Sequence, residues 1–248
     1  MQVVNLHWDY IAILILLAIV IPWRSTTRVQ SLLESAEFTS AQRMALYLST
    51  MAFQWALAGI ILWRSTARGL SRSQLGLDIP NVQRAIVVTV VLSVALVLNQ
   101  IFGIRRLASI PPGRRGMIGR LAEKLLPRSR REALVGVGLV VTVAICEELI
   151  YRGFVEGIFQ QALRSVIAGA VVSALFFAIA HLYQGRRGLL MTFTVGLIFS
   201  AARVWTGSLV PSIIVHFAAD FSAGAAASRV LLDGARGSSS EAGDRAES

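Results

Sequence analysis

Seven long apolar stretches, near residues 6–23, 43–63, 82–104, 133–154, 166–183, 189–205 and 209–232, constrain this chain more than any other feature. A bilayer crossing takes about 20 helical residues, and these runs come close to or exceed that length. The expected fold is therefore all-α, a polytopic transmembrane helix bundle of about seven spans. Composition agrees: hydrophobic residues make up 55% of the chain and charged residues 15%, against roughly 25% charged in an average soluble domain.

The net charge of +10 does not indicate nucleic-acid binding, because there is one lysine, Lys124, and the arginines lie mainly between the apolar runs. Basic loops of this kind set membrane orientation and touch anionic lipid. No basic residue precedes the first run and a basic segment follows it, so it reads as an uncleaved span with the N-terminus outside. That orientation puts 17 of the 24 basic residues and the C-terminus on the cytoplasmic side, as expected for a bacterial plasma membrane. Arg64, Arg68, Arg72 and Arg84 then fall on the opposite side. "GMIGRLAEKLLPRSRRE" in the most basic loop predicts a short interfacial amphipathic helix. Residues 1–124 are expected to hold three spans and this basic loop, 125–232 the functional helices, and 233–248 a disordered tail. The lone Cys146 excludes an intramolecular disulfide and reads as a small packed hydrophobe.

Ionisable groups inside a span cost about 2.5–3.5 kcal/mol each by insertion scales and are functional by default. The ones singled out here are Glu147, Glu148 and Arg152 in the fourth run, His181 in the fifth, and His216 with Asp220 in the seventh. Glu148 and Arg152 stand four apart with the acid first, the favourable order for an ion pair on one helical face. Glu147 is rotated by about 100° from Glu148, which leaves it free of Arg152. Phe177 and His181 share the four-residue spacing, as do His216 and Asp220, so a ring braces the first histidine and one face presents the second pair. With a turn near Arg164, Glu147 and His181 are equally distant from it, and two unbroken antiparallel helices would bring them to one level. His216 lies about 15 Å of helix from a turn near Thr206 and reaches the same site if that turn dips into the membrane.

These residues carry a resemblance. "EELIYR", Glu147 to Arg152, resembles the EExxxR motif of the CAAX-processing and bacteriocin-processing (CPBP) intramembrane proteases. "FAIAH", Phe177 to His181, resembles their FxxxH, and "HFAAD", His216 to Asp220, their HxxxN/D; "GSLVPSIIVH" and "LPRSRRE" are similar to bacterial members. The likeness covers residues 125 to 222. It implies a helical membrane endopeptidase acting on a peptide or membrane-protein substrate. Glu147 would be the general base assisted by His181, His216 and Asp220 would form the oxyanion side, and Glu148, Arg152 and Phe177 would support the site. Asp220 stands where the family more often has Asn, and a carboxylate donates a hydrogen bond only when protonated.

The family has also been described as metalloproteases, and Glu147, His181, His216 and Asp220 could supply a zinc set. Without the HExxH spacing, the metal-free glutamate mechanism is the favoured expectation, with no cofactor, and zinc the alternative. Two other classes remain: a non-catalytic scaffold or immunity-type protein of the same fold, and a proton-coupled transporter, for which the chain offers no inverted repeat.

Overall fold

The computed structural model describes residues 7–35, 38–111 and 114–232; the expected tail, 233–248, lies outside the described residues. The chain forms eight helices among these residues: α1 Trp8–Glu34, α2 Ser40–Ala67, α3 Val82–Ala108, α4 Gly116–Leu125, α5 Arg130–Leu163, α6 Val166–Ala180, α7 Gly185–Thr206 and α8 Val210–Ala227. No strand occurs among the described residues. Short polar side chains begin α2, α3, α5 and α6. Thr39 and Gln42 form a reciprocal capping box on α2, and Asn81, Ser129 and Ser165 each accept the N–H three residues on, satisfying donors that have no intrahelical partner. Gly207, at φ 71°, ends α7 in the left-handed region, and Pro211 sits in the first turn of α8, where its missing N–H costs nothing.

Six helices are long and apolar enough to cross a membrane, while α6 is a shorter apolar helix of 15 residues. The bundle thus has about seven spans, the fifth being shorter than its apolar run suggested because the helix stops one residue before His181. The basic-loop segment forms the short helix α4. Trp8, Trp63 and Trp205, all exposed and near helix ends, fit interfacial anchoring.

Inside the bundle α2 packs beside α5, α6 against α7, and α8 against α3, α5 and α7. Arg43 of α2 pairs with Glu132 of α5 at 2.9 Å, both buried, and Trp55 Nε1 donates to Thr142 Oγ1 at 3.2 Å. Partners rise in number together along both helices, so α2 and α5 run parallel. The segment between α2 and α3 turns inward: Leu75 is buried, Leu209 N–H donates to Gly76 O at 2.8 Å, and Arg203 Nη2 donates to Gln74 O at 2.6 Å. Irregular backbone is tolerated at depth where protein groups satisfy it.

The arginines that the orientation reading left on the wrong side have partners of their own. Arg64 and Arg68 pair with the buried Asp9, Arg72 lies 3.4 Å from Asp78, and Arg84 donates to Trp205 O. Arg64 and Arg68 clamp α2 to α1 through Asp9, whereas the contacts of Arg72 and Arg84 are on the surface.

Candidate active site

The α5 helix is not uniform. From Glu148 to Val155 its backbone widens into a π-helical stretch, all eight residues of which are buried. Such stretches cluster at functional sites. The equal-distance argument for Glu147 and His181 assumed an unbroken α-helix to Arg164. That premise does not hold, since the π stretch intervenes, α5 ends at Leu163 and α6 ends at Ala180. The two residues nevertheless line the same cavity, though no hydrogen bond joins them among the described residues.

The adjacent glutamates have different partners. Glu148, fully buried, accepts from Arg152 Nη1 at 2.8 Å through Oε1, and the same oxygen lies 3.0 Å from His216 Nδ1. Arg152 is itself fully buried, donates to Gly196 O at 3.2 Å, and stands over the rings of Phe177 (4.3 Å) and Phe199 (5.2 Å). Glu147 faces elsewhere. Its Oε1 accepts from Gln54 Nε2 of α2 at 2.9 Å, and among the described residues no protein group bonds its buried Oε2.

His181 follows the last residue of α6. Its Nδ1 is 2.8 Å from Phe177 O, and the ring centroids of Phe177 and His181 are 4.8 Å apart. A carbonyl oxygen only accepts, so Nδ1 carries a proton, and the tautomer this selects has its lone pair on Nε2. His216 is held between carboxylates, with Nδ1 at Glu148 and Nε2 3.5 Å from Asp220 Oδ2, and its ring stacks on Phe199 at 5.0 Å. Arg152, Glu148, His216 and Asp220 therefore form one polar chain across α5 and α8. Asp220, its side chain 41% exposed, is the end that meets the cavity.

That cavity, of about 1460 Å³, is lined by Glu147, His181, Tyr183 and Asp220 and reaches Ala133 at the start of α5, about 21 Å of helix away. Most of its remaining lining is apolar. Glu148 and Arg152 lie behind the wall as support. Among the described residues no three His, Cys, Asp or Glu side chains are grouped as a metal requires. With both His216 nitrogens facing carboxylates, the zinc set offered by the sequence is not assembled in this arrangement.

Two polar features, one half-buried and one fully buried, escaped sequence reasoning. Gln54 is one; its only signal was a polar residue midway along a span. The other is Glu156, fully buried, whose Oε1 is 3.8 Å from Arg203 Nη1. It follows the fourth apolar run by two residues and so appeared to lie outside the membrane.

Close packing around Arg152 gives a testable expectation. A Cβ on Gly196 would lie 3.1 Å from Ala174 Cα and 3.3 Å from Arg152 Nη2. Backbone there cannot yield cheaply, so Gly196→Ala should destabilise the protein by about 1–3 kcal/mol, read as a lower thermal midpoint in detergent.

Comparison with known proteins bears out the resemblance. Residues 129–222 match the family described as type II CAAX prenyl endopeptidase Rce1-like, and this segment contains all three motifs. The membrane-embedded CAAX protease MroQ of Staphylococcus aureus is 25% identical over 187 residues, covering 70% of this chain and 70% of that one. An uncharacterized 24.3 kDa protein of Escherichia coli is 31% identical over 83 residues, 33% of this chain and 38% of that one. No solved structure matches. Together with the six span-length helices, these relationships support an integral membrane protein with, in general terms, intramembrane endopeptidase activity.

Proposed function

We propose that this chain is a glutamate-type intramembrane endopeptidase that cleaves a membrane-associated peptide or protein using water activated by Glu147 and His181. The supporting observation is the contrast between the two glutamates. Each leaves a buried Oε2 without a hydrogen-bond partner among the described residues, but Glu148 is tied through Oε1 to Arg152 and His216 and does not line the cavity, whereas Glu147 lines it together with His181 and Asp220.

Amide hydrolysis needs a base for water and stabilisation of the tetrahedral oxyanion. Water held between Glu147 Oε2 and His181 Nε2 gives a proton to the carboxylate as its oxygen bonds to the scissile carbonyl carbon. The carbonyl electron pair moves onto oxygen, which develops its charge on the His216–Asp220 side. Collapse restores the carbonyl and breaks the C–N bond, and the proton held by Glu147 passes to the leaving nitrogen. Glu148 and Arg152 fix His216. The proposal keeps the N-terminus outside and the C-terminal end of α8 in the cytoplasm; the basic loops and the pairing of Arg64 and Arg68 with Asp9 support that orientation.

Asp220 separates this reading from the zinc alternative. Asparagine has nearly the same shape and supplies a donor without needing protonation, so Asp220→Asn should retain turnover to within about tenfold, a difference near 1.4 kcal/mol. As a zinc ligand asparagine lacks the negative charge of aspartate. Collapse of activity with depletion of bound metal, reproduced by a chelator in the parent protein, would replace the metal-free mechanism.

A further inference from the structure

The family match begins at residue 129, yet the residue touching the proposed base comes from α2. We infer that Gln54 is a positioning residue for Glu147, holding one carboxylate oxygen so that the other faces the water to be activated. The inference rests on the proposed role of Glu147.

Several observations support it. An ionised carboxylate accepts and never donates, so the Gln54 amide must present its nitrogen, as it does at 2.9 Å from Oε1. A glutamate side chain has three rotatable torsions and swings freely unless held. Among the described residues, Gln54 is the one side chain hydrogen-bonded to Glu147. Oε1 is therefore occupied and Oε2 is left for chemistry. Gln54 also lines the cavity, so this contact lies on its wall and not deep in packing.

The register of α2 is fixed independently of the contact. Arg43 pairs with Glu132, Tyr47 hydroxyl donates to Leu125 O, and Trp55 donates to Thr142. Small residues allow the approach: a Cβ on Gly138 would be 3.4 Å from Met51 Cε. With two other anchors to α5 and one to the end of α4, loss of the Gln54 bond should leave the fold in place while releasing Glu147. The result would be a defect in chemistry and not in assembly.

The experiment uses the full chain in membranes and then in detergent. New termini in membrane proteins are first compared between the parent and Glu147→Gln, and a peptide spanning a Glu147-dependent cut is made as a fluorogenic probe. If no such cut exists, the assignment of Glu147 fails, and with it the inference built on it. Given a probe, Gln54→Met, which keeps length and bulk without the donor, should lower kcat by up to roughly 100-fold, the order of loss for a reacting group misplaced by about 1 Å. KM and the thermal midpoint should stay near parent values. Gln54→Asn, one methylene shorter, should withdraw the amide and reproduce the loss, providing a second variant if methionine disturbs folding. A carboxylate infrared band, assigned by its disappearance in Glu147→Gln, should also shift in Gln54→Met, which a merely structural contact elsewhere on α2 would not cause. If Glu147→Gln is inactive while both Gln54 variants keep parental kcat, the positioning role is refuted and the base survives. Equal loss through KM or stability, with kcat unchanged, refutes it as well.

Discussion

Glu147→Gln should lower cleavage by roughly 10²–10⁴-fold, the contribution of a positioned general base, while leaving the folded protein near parental stability. The substitution is isosteric, and the amide keeps a carbonyl oxygen that can still accept from Gln54. What it loses is the ability to take a proton from water. Turnover and thermal unfolding measured on one preparation distinguish this from a packing defect. Parental turnover in Glu147→Gln would end the proposed mechanism.

Arg152→Met should have the opposite signature, with loss of folded protein preceding any question of rate. Arg152 and Glu148 have no exposed side-chain surface, and the guanidinium holds Glu148 on one side and Gly196 O on the other. Removing one partner of a buried ion pair leaves an uncompensated charge and costs about 3–5 kcal/mol. His216 then loses the carboxylate geometry that fixes it, so surviving molecules should also turn over more slowly. A thermal midpoint close to the parent's would show that Glu148 does not depend on Arg152 for its compensation.

The elements that could be read in the sequence were those set by local physics. The apolar runs located the spans because bilayer thickness fixes helix length. The four-residue spacings joining Glu148 to Arg152 and Phe177 to His181 became contacts because helical neighbours share a face. The remainder depends on packing between distant segments. The π-helical stretch carries no pattern that distinguishes "ELIYRGFV" from an ordinary helix. Gln54 meets Glu147 across 93 positions, and Arg203 finds Glu156 across 47, separations over which periodicity is silent. The inward turn at Leu75 and Gly76 was missed because a polar loop between spans gives no sign that its backbone will be satisfied by Arg203 and Leu209. Arg64 and Arg68 were counted as loop charge for the same reason, since their partner Asp9 lies on α1.

The central claim is that Glu147, and not its neighbour, carries out peptide-bond hydrolysis at the wall of the cavity. Mass spectrometry of new termini in membranes holding the parent, Glu147→Gln or Glu148→Gln, normalised to the folded protein in each, addresses it most directly. The expected result is a set of cleavage products present with the parent, absent with Glu147→Gln, and reduced with Glu148→Gln mainly in proportion to its loss of folded protein. Identical products from the parent and Glu147→Gln would contradict the account and favour a scaffold that keeps the fold without the chemistry.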